Sequence, residues 1–335
     1  MKNSIALVLI LLASSTFARD KPNVILLLAD DLGYSGLKCF GSDLHETPNL
    51  DKMAADGMKF TSAYSACTVC SPTRASVMTG KYPARLHLTD FISGQKRPFS
   101  KLNVPDWTMR LEHSETTVAE YLKQNGYSTA HVGKWHLHAR NDPAEYGPLG
   151  HGFDLTVSKP KSRGYFIDQK LIESGKVKSG YVTDHLTDEA VRVIDSWQDK
   201  PFFLYFAYNT PHTPIQGKKE LVDYYKRKIK PGMRHNNPTY AAMVHSLDES
   251  VGRVARAVEQ AGIADRTMIW FISDNGGLSQ NTTNRTGFID NHPVRRGKGS
   301  AYEGGTRVPM IVDWLGETSN SRWVKKQLKP RGKRQ

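Results

Sequence analysis

A chain of 335 residues, 39% hydrophobic and 24% charged, is long enough to bury a large core and to hold one big α/β domain or two modest ones. Its formal charge of +13 does not make it a nucleic-acid binder. Much of the excess lies in Arg322, Lys325, Lys326, Lys329, Arg331, Lys333 and Arg334, a run that reads as a solvated tail, and no zinc-finger or RNA-recognition pattern accompanies it.

The chain opens with Lys2, an apolar run over 5–13 and a small-residue stretch ending Thr16-Phe17-Ala18, the layout of a cleavable secretory signal over 1–18. The run is well short of the roughly 20 apolar residues of a membrane span, so export to a bacterial periplasm or the cell exterior is expected, without stable membrane insertion. Residues 22–28 carry Val24-Ile25-Leu26-Leu27-Leu28, stopped by Ala29-Asp30-Asp31, which predicts a buried parallel strand ending in two carboxylates. A helix over 47–57 follows, with Thr47 as N-cap, Pro48 at its first position and Gly57 as its stop. A strand over 60–65 leads into a loop around Cys70, and a helix over 74–79 ends at Gly80.

Further along, the pattern predicts a helix over 116–124 and a strand over 128–132 that runs into Gly133-Lys134-Trp135-His136. An amphipathic helix over 184–197 precedes a strand over 202–208, which delivers Asn209-Thr210-Pro211-His212. A long helix over 240–261 and a strand over 268–272 end in Ser273-Asp274-Asn275-Gly276-Gly277. Strand, loop and helix alternate throughout, which argues for an α/β fold on a parallel or mixed sheet with its polar loops along one edge.

Chemistry gathers in those loops. Asp30-Asp31 and Asp274-Asn275 each end an apolar strand and together offer a hard, all-oxygen set suited to calcium or magnesium. Arg74, Lys134, His136, His212 and Lys298 also stand at expected strand ends, and a transferred sulfuryl or phosphoryl group needs cations fixed around its oxygens. Of the three cysteines, Cys39, Cys67 and Cys70, the odd count leaves at least one to be explained. Cys67 and Cys70 are also spaced for a short-loop disulfide or a redox pair.

Cys70-Ser71-Pro72-Thr73-Arg74, followed by Ser76-Val77-Met78-Thr79-Gly80, resembles the signature of the formylglycine-dependent sulfatases, arylsulfatase-like members of the alkaline phosphatase-like superfamily. Their pattern is Cys-x-Pro-x-Arg with a Thr-Gly a few residues on; Thr73 stands where Ser is usual and keeps the hydroxyl. Pro22-Asn23-Val24-Ile25 through Asp31, Thr47-Pro48-Asn49-Leu50-Asp51 and Gly133-Lys134-Trp135-His136-Leu137 resemble further family segments. So do Pro211-His212, Ser273-Asp274-Asn275-Gly276 and Gly297-Lys298-Gly299 followed by Glu303-Gly304-Gly305.

The resemblance implies a large, mixed, mostly parallel sheet sandwiched by helices, forming a catalytic domain over 19–316. Family members continue past a strand at Arg307-Val308-Pro309-Met310-Ile311-Val312 into a smaller subdomain on an antiparallel sheet. Here that part is expected to be largely missing, with a basic tail over 317–335 after Gly316. The resemblance further implies that a maturation enzyme oxidises Cys70 to formylglycine (3-oxoalanine). One hydroxyl of the hydrated aldehyde attacks sulfur, and loss of the other's proton expels sulfate and regenerates the aldehyde. Asp30, Asp31, Asp274 and Asn275, with the modified Cys70, would hold Ca2+ or Mg2+. Arg74 would support the diol, Lys134 and Lys298 would bind sulfate oxygens, His212 would protonate the leaving oxygen and His136 would steady the diol.

The expected substrate is a sulfated small molecule or glycan, with sugar contacts in the insert-like loops over 90–105 and 159–178. A phosphoesterase or phosphonate monoester hydrolase of the same superfamily, and a catalytically inactive binder of sulfated glycans, are the competing expectations.

Overall fold

The computed structural model describes residues 21–94, 101–102, 105–279 and 287–314. The expected signal over 1–18, the tail over 317–335 and part of the loop over 90–105 lie outside the described residues. Seven strands form the main sheet: β1 (Asn23–Ala29), β2 (Met58–Tyr64), β3 (Ser128–Gly133), β4 (Leu155–Val157), β5 (Phe202–Ala207), β6 (Thr267–Ser273) and β7 (Arg307–Trp314). Its main helices are α1 (Pro48–Asp56), α2 (Cys70–Thr79), α3 (Val118–Gln124), α4 (Val182–Trp197), α5 (Lys219–Lys228) and α6 (Pro238–Gln260).

The strand order is β2-β7-β6-β1-β5-β3-β4. The pairs from β6 to β4 are all parallel, whereas β7 runs antiparallel to both β6 and β2. The sheet is therefore mixed and mostly parallel, as the alternation of strand and helix predicts. β1 lies near its centre, and helices cover both of its faces. Ile25 and Leu27 join the core with Val193 of α4 and Leu247 and Val251 of α6, while Leu28 packs with Ala75 and Met78 of α2 and with Ala119 of α3. Two-sided burial explains the unbroken apolar text of β1.

The helices follow their apolar spacing. In α4, Val182, Leu186, Ala190, Val193 and Ile194 are buried, a stripe of three- and four-residue steps. α3 opens with a capping box, in which Thr117 accepts from Glu120 N and the Glu120 carboxylate accepts from Thr117 N. α1 departs from its expected cap: Thr47 holds the N-cap position but makes no capping hydrogen bond. Asp248 of α6 takes that role, accepting from Asn49 N at 3.1 Å and Leu50 N at 2.8 Å, and from Asn49 Nδ2 at 2.7 Å.

α2 begins at Cys70 itself, one turn earlier than its sequence predicts. Pro72 falls within the first helical turn, where its missing N–H leaves no intrahelical bond unmade. α5 went unpredicted because its apolar residues, Leu221, Val222, Tyr224 and Tyr225, cover little more than one turn and the rest of its text is charged. The loop over 159–178 carries a short hairpin, Ser162–Arg163 paired with Phe166–Ile167, and a helical turn, Gln169–Glu173.

Candidate active site

The parallel strands deliver their chemistry at one edge, beyond their C-terminal ends, where such sheets favour ligands. Asp30 and Asp31 follow β1, Asp274 and Asn275 follow β6, Lys134 and His136 follow β3, and His212 follows β5. Gly133 makes the β3 exit possible: its φ is +106°, and a Cβ there would meet Ala207 O at 1.9 Å. The backbone thus turns against β5 and brings Lys134 inward. Asp31 and His136 are non-glycine residues at φ 65° and 59°, and backbone held in that region clusters at functional sites.

Cys70, at the first turn of α2, converges on these strand ends. Ligand-capable atoms of Asp30, Cys70 and Asp274 lie within 4.8 Å of one another, as do those of Asp30, Asp31 and His212. Arg74, one turn after Cys70, is wholly buried; its Nη2 and Nε donate to Asp274 Oδ2 at 2.7 and 3.0 Å, and its Nη1 to Lys134 O at 3.0 Å. Lys134 Nζ donates to Asp30 Oδ2 at 2.6 Å and Lys298 Nζ to Asp31 Oδ2 at 2.8 Å. His212 Nε2 stands 3.6 Å from the same Asp31 oxygen, and Asn275 Nδ2 donates to Asp31 Oδ1 at 2.8 Å.

These contacts leave a particular deficit. Asp30 Oδ1 and Asn275 Oδ1 are buried and accept no hydrogen bond. A buried oxygen without a partner is costly, and two of them among crowded carboxylates fit a divalent cation. The electrostatics agree. Burial and the neighbouring Asp30 charge push the Asp274 carboxyl up. Burial alone would raise Asp30 too, but Lys134, His212, Arg74 and Lys298 outweigh it and hold that carboxyl far below its usual range. Burial also pushes the Cys70 thiol up, which makes it a poor nucleophile as a thiol.

A cavity of about 590 Å³ opens over the cluster, walled by Asp30, Asp31, Cys70, Lys134, His212 and Lys298, with His136 and Lys159 also on its lining. Arg74, Asp274 and Asn275 do not line it and stand fully buried behind residues that do. The ten residues to which the resemblance gives a role therefore meet at one place, whereas Cys39 and Cys67 stand apart from it. The three cysteines are free, so the disulfide alternative for Cys67 and Cys70 is not realised.

The sulfatase family model matches residues 22–330. The chain belongs to the sulfatase family. An N-acetylgalactosamine-6-sulfatase of Mus musculus is 32% identical over 322 residues, covering 89% of this chain and 58% of that protein. A sulfatase of Formosa agariphila is 33% identical, covering 91% of this chain and 66% of its own length. Among solved structures, Ps i-CgsB in complex with k-i-k-neocarrahexaose superposes with a TM-score of 0.73 at 34% identity, covering 89% of this chain and 67% of that one. A phosphonate monoester hydrolase of Agrobacterium radiobacter, at 19% identity and a TM-score of 0.61, shares the fold. The chain thus spans less than two thirds of the length of these curated sulfatases.

Two further residues of this site were given no role from the sequence, although Asn209 stands at the end of the strand that delivers His212. Tyr165 is 2% exposed, and its hydroxyl donates to His212 O at 2.9 Å and to Asn209 O, bracing the loop that presents His212. Asn209 lines the cavity with a buried Oδ1 that has no hydrogen-bond partner. Tyr165 lies in the turn of the short hairpin, away from the strands of the main sheet, so neither pattern nor motif marks it. His136 lies against the 92 loop, with Nε2 bonded to Ile92 O, and burial together with the Lys134 charge pushes its imidazole down to about 3. It is a neutral ring near neutral pH.

Proposed function

We propose that this chain hydrolyses sulfate monoesters of a carbohydrate alcohol, with Cys70 converted to formylglycine and a divalent cation held by Asp30, Asp31, Asp274 and Asn275. The observation that carries the reading is the convergence of Cys70 with Asp30 and Asp274 inside 4.8 Å, beneath a cavity with cations on its wall. The cation supplies charge to offset the carboxylates and to polarise oxygen, and the hydrated aldehyde supplies the attacking hydroxyl. A mostly carboxylate cage favours calcium over magnesium.

The chain's own residues do the rest. Arg74 fixes the Asp274 carboxylate by its paired N–H bonds. Lys134 and Lys298 present ammonium groups to the sulfate oxygens, where charge builds as the ester bond breaks. His212 donates a proton to the leaving alcohol oxygen from Nε2, while its Nδ1 is held by Thr213 O at 2.7 Å. His136, as a neutral ring, offers its unpartnered Nδ1 as an acceptor for a hydroxyl at residue 70. The layout of residues 1–18 supports export, which places the substrate outside the cytoplasm.

The test is to make the chain with a formylglycine-generating enzyme, determine the mass of the Cys70 peptide and assay release of sulfate from N-acetylgalactosamine 6-sulfate and from an aryl sulfate. Aldehyde at position 70 together with sulfate release is expected. Unmodified thiol under those conditions, or faster turnover of the phosphate analogue, would sink the reading.

A further inference from the structure

The cations and anions of the active-site cavity nearly balance one another. Arg74 pairs with Asp274, Lys134 with Asp30 and Lys298 with Asp31. Lys159 is the exception. It lines the same cavity from the loop over 159–178, and among the described residues no carboxylate pairs with it. Its ammonium lies over the Tyr165 ring, 5.7 Å from the centroid. Burial lowers its pKa with no opposing anion to restore it. A half-buried cation resting on an aromatic face keeps its donors free for an incoming anion.

Its position says which part of the substrate that anion belongs to. Tyr165 links the two sides: Lys159 stacks on its ring, and its hydroxyl holds the carbonyls of Asn209 and His212. Lys159 therefore stands on the His212 side of the cavity, where the alcohol half leaves. Lys134, Lys298 and His212 all contact the clustered carboxylates, whereas Lys159 reaches the cavity from beyond them, across the Tyr165 ring. A volume of about 590 Å³ is far more than a sulfate group needs and lies in the range of a small-ligand pocket. Asn209 adds an acceptor to the same wall, suited to a sugar hydroxyl.

We propose that Lys159 is a specificity-determining residue that binds a second anionic group, sulfate or carboxylate, on the saccharide whose ester is cleaved. The preferred substrates are then saccharides with at least one further negative charge near the scissile sulfate. This rests on the sulfatase reading for the place of the ester, but binding and hydrolysis are read separately, so that either can fail without the other.

The experiment uses the full chain with calcium in a Cys70→Ser background and measures affinity by calorimetry. The probes are N-acetylgalactosamine 6-sulfate, N-acetylgalactosamine 4,6-disulfate and the disaccharide of glucuronic acid with N-acetylgalactosamine 6-sulfate. Tighter binding of one dianionic probe than of the monosulfate is expected, and which probe it is distinguishes second sulfate from carboxylate. Lys159→Gln should weaken that probe roughly tenfold more than it weakens the monosulfate, and Lys159→Arg should restore most of the difference. Equal losses on all probes, no loss, or no preference for a second charge overturns the proposal, absence of binding included. Hydrolysis by the matured chain is read separately. Selective binding without sulfate release would sink the catalytic reading and leave the subsite standing, whereas release that ignores Lys159 would sink the subsite alone.

Discussion

Arg74 has no exposed surface, and its guanidinium joins α2 to the end of β6 and, through Lys134 O, to the exit of β3. Removing it leaves the Asp274 carboxylate buried beside Asp30 without its closest counter-charge. Arg74→Met is expected to destabilise the chain by about 3–5 kcal/mol, the usual cost of breaking a buried pair from one side. Urea unfolding checks the size, and repeating it with calcium checks the cause. A bound cation should recover part of the loss, so an unchanged deficit would argue that the cluster holds no metal. The sequence made Arg74 visible through its spacing from Cys70, and Asp30, Asp31, Asp274 and Asn275 through their places at strand ends. Tyr165 was invisible because its work is done by one hydroxyl on distant backbone carbonyls, which leaves no local pattern.

The helices show where local text succeeds and where it stops. α4 and α6 were legible because a buried stripe imposes its period on many residues. The cap of α1 was not, since the acceptor, Asp248, lies 198 residues from Leu50. No reading of the residues beside Thr47 can find it. Asp248→Ala should strand two backbone N–H groups and the Asn49 amide, at a cost of about 3 kcal/mol. Urea unfolding again measures it. Asp248→Asn, which keeps one acceptor oxygen, should lose less, and equal losses would show that packing rather than capping sets the cost. α5 was missed for a different reason, because its apolar stripe of Leu221, Val222, Tyr224 and Tyr225 spans little more than one turn between runs of charge.

Across the molecule, several histidines are folded away in the neutral form. Burial pushes His45 and His131 down to about 3 and His151 to about 4, with the nearby His235, Arg74 and His113 charges adding to the effect in turn. Their folded values lie below the unfolded value near 6.5, so in the window between them the unfolded chain binds protons that the folded chain does not. Stability is therefore complete above about pH 6.5 and falls as pH drops toward 4, with each ring contributing up to about 1.4 kcal/mol per pH unit. Melting curves from pH 7 to 4.5 should show this decline. His131→Phe, placed among Trp135, Phe153 and Tyr205, should flatten it, and an unchanged slope would exclude that ring as a cause.

On the formylglycine reading proposed above, the burial of Cys70, 2% exposed at the first turn of α2, sets an order of events in time. An enzyme that oxidises this side chain needs the surrounding peptide in its grasp, and in the folded chain Cys70 sits on the cavity wall among residues as distant in sequence as Asp30 and Lys298, almost without exposed surface. On that reading maturation and folding would compete for the same segment, and the faster would decide the fate of each molecule. Refolded thiol protein should resist the maturation enzyme that an unfolded chain or a peptide spanning Cys70 to Arg74 accepts, a contrast that peptide mass measurement reads directly. On the same reading, a mutation that merely hastens closure of the sheet would leave a stable protein with its residue 70 still a thiol.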